Sequence, residues 1–185
     1  MNEAQLRARL PPGLGHAPLN TAAYRRSAVL VPLEADRGVW LTRRSVNLPN
    51  HAGQVSFPGG KIEIGDVSVE AAALREAEEE IGLPQDQVEI LGRMDDFVTA
   101  TGFHIAPVVG LVPKDVGFIA DPREVAAVFC LPFAVLLDAA APQHRRMQWQ
   151  GGEREFLVWP HEEHLIWGAT AAMLENLARR LRGDL

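Results

Sequence analysis

The chain has 185 residues, 47% of them hydrophobic and 23% charged, with a formal net charge of -6 and a mean hydropathy of -0.03. That balance fits one folded domain of ordinary size and excludes a disordered chain, while the acidic excess argues against a partner gripped through a basic face, as nucleic acid would be. A lone cysteine, Cys130, excludes an internal disulfide and a cysteine-rich zinc site, and the absence of a membrane-length apolar run or a signal-peptide core makes the cytoplasm the expected compartment.

Residues 1–20 begin with a short charged segment and continue as PPGLGHAPLN, which reads as an N-terminal arm on a single domain spanning 1–185. Two apolar, β-branched runs follow, RSAVLVPL at 26–33 and GVWLTRR at 38–44, joined by a short loop and expected to pair as antiparallel strands. LPNHAGQVSFPGG at 48–60, with two prolines and three glycines, interrupts regular structure. The segment 66–82, DVSVEAAALREAEEEIG, predicts a helix: Asp66 or Ser68 can cap its start, alanine and leucine fill its middle, and Gly82 ahead of Pro84 ends it. Further strands are expected at 88–96, 105–112, 126–131 and 155–159, and a last helix at about 165–182 ends in arginines that suit its C-terminal dipole. The pattern is mixed α/β, most simply a sheet between helices.

The chemistry concentrates in the helix at 66–82. Glu76, Glu79 and Glu80 stand at i, i+3 and i+4, within an arc of about 100° on one face. Like charges so close repel, and a hard divalent cation such as Mg²⁺ would offset that repulsion through carboxylate oxygens. Val69, Ala73, Ala77 and Ile81 recur every four residues and supply an apolar stripe to bury. Immediately upstream, FPGGK is a tight turn whose two glycines let backbone approach a ligand, with Lys61 in reach of a diphosphate. An acidic run on an amphipathic helix is usually only a solvated face, and it is the combination with this turn that points to a metal.

Residues 60–83, GKIEIGDVSVEAAALREAEEEIGL, resemble the Nudix box, G-x5-E-x7-R-E-U-x-E-E-x-G-U with U apolar, whose families cleave nucleoside diphosphates linked to another moiety. Arg75, Glu76, Ala77, Glu78, Glu79, Glu80, Ile81, Gly82 and Leu83 match its second half without exception. In the first half Asp66 stands where the pattern has glutamate, and eight residues rather than seven separate it from Arg75; it can orient Arg75 or merely cap the helix. The preceding segment, LTRRSVNLPNHAGQVSFPGG at 41–60, is similar to that of coenzyme A pyrophosphatases, matching at Leu41, Thr42, Arg44, Ser45, Gly53, Phe57, Pro58, Gly59 and Gly60 and departing at Trp40 and at Pro49, where that pattern has arginine.

The resemblance implies a Nudix α/β/α sandwich with a mixed central sheet and the box as a loop-helix-loop. It implies Mg²⁺ or Mn²⁺ on Glu76, Glu79, Glu80 and the Gly59 carbonyl, with Arg75 beside them as part of the catalytic set, and a substrate contacted by Arg44, His51, Gly60 and Lys61. The implied reaction is hydrolysis of coenzyme A or its derivatives to 3′,5′-ADP and 4′-phosphopantetheine, the metal neutralising the diphosphate and acidifying the attacking water. The base is a box glutamate or a later carboxylate such as Glu124. Other nucleoside diphosphate derivatives (ADP-ribose, dinucleotides) and a non-catalytic nucleotide-binding module are the alternatives; a homodimer is left open. Strand alternation sends Arg43 and Arg44 to opposite faces, so only one is expected at the phosphates. HEEH at 161–164 lacks the spacing of a zinc protease and reads as a solvated helix start.

Overall fold

The computed structural model describes residues 1–11, 24–149 and 152–184. In chain order they form α1 (Glu3–Arg9), β1 (Arg25–Glu34), β2 (Gly38–Arg44), β3 (Val55–Ser56), β4 (Gly59–Lys61), α2 (Val69–Ile81), β5 (Glu89–Arg93), β6 (Phe97–Val98), β7 (Phe103–Val112), β8 (Val125–Pro132), α3 (Phe133–Leu136), β9 (Gln143–Trp149), β10 (Gly152–Trp159), β11 (Ile166–Trp167) and α4 (Gly168–Arg182). Among the described residues no helix is long and apolar enough to cross a membrane.

β1 is the spine. It runs parallel to β7 over its whole length and antiparallel to β2 near the turn at 35–37. The two strands then part, and the irregular segment at 48–60 fills the gap: β3 pairs with β2, and β4 pairs with β1 at Ser27, Ala28 and Val29. β8 pairs with β2 on the other side and β5 with β7, giving a mixed sheet of eight strands. This is the expected sheet between helices, and β1 shows why it is two-faced. Ala28 and Leu30 pack under α2 with Trp40 and Val108, whereas Val29, Val31 and Leu33 pack under α4 with Leu41 and Leu131. Alternate residues of one apolar run thus supply two cores.

α2 forms where its sequence asks. The Ser68 hydroxyl accepts the Ala71 N–H at 3.1 Å, and Gly82 closes the helix in the left-handed region at φ 64°. Buried Ala72, Ala73 and Ala77 let the helix lie close on the sheet. Ser68 is therefore the cap, and Asp66 is free for another task.

Three features depart from the sequence reading. Within the segment read as an arm, residues 3–9 are helical, with a capping box at Asn2 and Gln5 and with Leu6 buried against the α4 layer; the rest of that segment, 12–20, lies outside the described residues. The hairpin of β9 and β10 forms a separate three-stranded sheet with β11; its first strand, QHRRMQW, has no apolar alternation to reveal it. α4 begins at Gly168, later than residue 165, because 166–167 are held in β11.

Candidate active site

Two structural pieces meet over the α2 face of the sheet: the glycine turn that enters β4, and the second half of α2. Gly59 sits at φ 153°, and a side chain there would strike the Ala28 carbonyl at 2.4 Å. Its N–H donates to the Glu80 carboxylate at 3.1 Å. A Cβ on Gly60 would meet the Glu76 carboxylate at 2.4 Å. Both glycines are thus required by close approach, with backbone of the turn lying directly against two acidic side chains.

The three glutamates are unequally placed. Glu80 is 3% exposed, Glu76 15% and Glu79 59%. Burial pushes the Glu80 carboxyl up to about 7, with the Gly59 N–H and the Arg44 charge opposing and the charges of Glu76 and Glu124 reinforcing. Glu76 is raised as well, again by burial first, opposed by Arg75 and reinforced by Glu79 and Glu124. Glu124 is thereby close enough to act on both.

Arg75 holds the cluster together. It grips Asp66 with Nε at 3.0 Å and Nη2 at 3.1 Å, reaches Glu76 and Glu79 with Nη1 at 3.0 Å each, and donates to the Lys61 carbonyl at 3.2 Å. Asp66 also takes the Glu63 N–H at 2.7 Å, and the Arg75 guanidinium, ahead of that bond, holds its carboxyl below the usual carboxylate range. Despite the eight-residue separation, the shorter carboxylate meets the guanidinium in a two-point pair.

Of the remaining residues singled out in the sequence, Arg44 reaches Glu80 at 3.4 Å. Lys61 is exposed and joins the cluster through its carbonyl. His51, at φ 55°, bonds Gln54 at 3.0 Å and lies edge-on to Phe103; no bond ties it to the glutamates. Ser45 donates its N–H to the Glu124 carbonyl at 2.7 Å, which draws the 113–124 loop to the end of β2. The sequence offered no signal for that contact beyond the DPRE turn.

Among the described residues no three acid, histidine or cysteine side chains converge in a ligating geometry. Glu76 and Glu79 are turned to Arg75, and Glu80 to Gly59 and Arg44. The donor set nevertheless fits a hard divalent ion: two shielded carboxylates share one glycine turn, both are raised by burial first and by neighbouring carboxylates after it, and all offer oxygen.

Residues 23–159 match the family model of the NUDIX domain. Over 175 residues the chain is 40% identical to a protein of Shigella flexneri serotype 5b (strain 8401) described as an uncharacterized Nudix hydrolase, NudL, covering 93% of this chain and 89% of that one. The NudL of Escherichia coli O7:K1 (strain IAI39 / ExPEC) is also 40% identical, over 164 residues, covering 87% of this chain and 85% of that one. Two solved structures share the fold. A MutT/nudix family protein from Enterococcus faecalis matches 95% of this chain and 68% of its own at a TM-score of 0.55 and 16% identity. The MutT protein from Methanosarcina mazei Go1 matches 65% and 84% at 0.50 and 23%. By these likenesses, and with the box residues gathered as described, the chain belongs to the Nudix family and is a Nudix hydrolase, acting on small-molecule diphosphates with divalent metal ions as that family does.

Proposed function

We propose that the chain is a single-domain pyrophosphohydrolase that cleaves coenzyme A or its derivatives to 3′,5′-ADP and 4′-phosphopantetheine, using Mg²⁺ or Mn²⁺. One observation carries the substrate: Arg44 and Gly59, both from the segment similar to that of coenzyme A pyrophosphatases, each contact Glu80. That segment is therefore in physical contact with the box.

Glu76, Glu79, Glu80 and the Gly59 carbonyl are the groups that would hold the metal. When bound, the ion supplies neutralisation of the diphosphate and a more acidic water. The chain's own residues do the rest. Arg75, pinned by Asp66, holds Glu76 and Glu79 in position, a preorganisation that costs nothing at the moment of reaction. Arg44 offers its guanidinium to a phosphate oxygen, and the Gly60 backbone and Lys61 flank the same turn. His51, on the loop before the turn, contacts the substrate farther out. The attacking water forms a new P–O bond while the bridging P–O bond breaks, and its proton passes to a carboxylate. Among the described residues the Glu124 carboxylate carries no hydrogen bond or ion pair, which suits it to that role.

The test is product analysis by mass, with coenzyme A, ADP-ribose, NADH and a diadenosine polyphosphate offered in parallel with Mg²⁺ or Mn²⁺. Coenzyme A split into the two stated products is the expected result. Faster cleavage of another diphosphate overturns the substrate and leaves the box chemistry in place.

A further inference from the structure

Arg43 and Arg44 are neighbours in sequence, yet they serve different faces of β2. Their pairing with β8 shifts register between them, and such a bulge re-aims side chains. Arg44 turns to Glu80 under α2. Arg43 follows Leu41 to the α4 face, where its charge is felt by His164.

On that face Arg43 has no hydrogen bond or ion pair among the described residues, and its Nε is shut off from solvent without a partner. His164 is 9% exposed, and its Nδ1 is likewise enclosed and unpartnered. Its ring lies 4.0 Å from that of Phe129 and 4.7 Å from that of His161. Burial, His161 and Arg43, in that order, lower its pKa against the opposing Glu163 carboxylate and backbone, so the ring is neutral at neutral pH and carries one N–H. A half-buried guanidinium whose Nε meets no acceptor, beside an imidazole whose Nδ1 is enclosed without a partner, is costly unless something else satisfies them. His161 and His164 line a groove of about 920 Å³ together with Leu131, Trp159, Arg145 and the carboxylates Glu162 and Glu163.

We propose that Arg43 and His164 form a second anion subsite, and that it takes a phosphate monoester carried by the diphosphate substrate. The three oxygens of such a group can accept from the guanidinium fork and from an imidazole N–H together. The inference rests on the coenzyme A reading, because coenzyme A carries a 3′-phosphate in addition to its diphosphate. Two arginines on opposite faces of one strand end suit a ligand with two separate phosphate groups.

The experiment compares kcat/KM for coenzyme A and 3′-dephospho-coenzyme A in wild type, Arg43→Gln and Arg43→Lys, with Mg²⁺ present. Wild type is expected to prefer the 3′-phosphorylated substrate, and Arg43→Gln to lower that preference about 10-fold, with Arg43→Lys in between. A general disturbance of the fold lowers both values and leaves their ratio, so a ratio unmoved in Arg43→Gln overturns the subsite. If wild type cleaves neither compound, the coenzyme A reading falls and inorganic phosphate becomes the probe. Phosphate titrated into the protein without divalent ion should then shift the His164 ring signals in NMR, and Arg43→Gln should abolish the shift. No shift in wild type, or the same shift in the variant, overturns the subsite.

Discussion

Glu80 is a buried carboxylate with a backbone N–H, an arginine and two other acids around it, and its ionisation has a consequence for stability. Its folded pKa of about 7 lies above the ordinary 4.5, so the protonated form is the one the fold favours. Stability from this group is complete below pH 4.5 and is lost as pH rises through about 7. In metal-free protein, thermal melts from pH 4.5 to 7.5 should show wild type losing roughly 3 kcal/mol at most relative to Glu80→Gln. Parallel curves for the two proteins would contradict the assignment. With metal and substrate present, Glu80→Gln should keep the fold and lower kcat by orders of magnitude. Asp66 acts one step back, by holding Arg75. Asp66→Ala should reduce kcat about 10- to 100-fold, the usual cost of loosening a group that orients a metal ligand, with little change in circular dichroism.

At the scale of elements, α2 is specified locally and α1 is not. The cap at Ser68 is worth about 1 kcal/mol, and Ser68→Ala should lower stability by that amount without altering which residues are helical. α1 is a helix of seven residues, too short to be stable alone, and it persists because Leu6 is fully buried against the α4 layer. Leu6→Ala should therefore cost about 2–5 kcal/mol in denaturant unfolding. A loss under about 0.5 kcal/mol, typical of a surface site, would mean that the segment is an appendage.

Over the whole molecule, the parting of β1 and β2 decides where chemistry happens. The gap admits the 48–60 segment, which brings Gly59 and Gly60 onto the α2 face and directs Arg44 to Glu80. An enzyme built this way should lose its activity to a chelator and recover it with Mg²⁺ or Mn²⁺; retained turnover after exhaustive chelation would remove the metal from the account. The acidic balance of -6 is consistent with that dependence.

Wherever local rules act, the sequence alone was a sufficient guide. β1, β2, α2 and β7 could be drawn from apolar runs, caps and turn residues, because those signals lie within a few residues of the structure they specify. The glutamates Glu76, Glu79 and Glu80 could be named from their spacing on one helix face, and Arg75 from the resemblance to the Nudix box. Tertiary structure decided what depends on residues far apart in the chain. Asp66 could have been a cap or a partner for Arg75, and only the two-point pair formed on folding settles it as the partner. The three glutamates look equivalent on a helical wheel, yet the sheet and the glycine turn bury Glu80 and leave Glu79 exposed. HEEH reads as a solvated helix start, whereas β11 delays the helix and packs His164 against Phe129. Each of these outcomes is set by desolvation and long-range packing, which act between residues that the chain brings together only on folding.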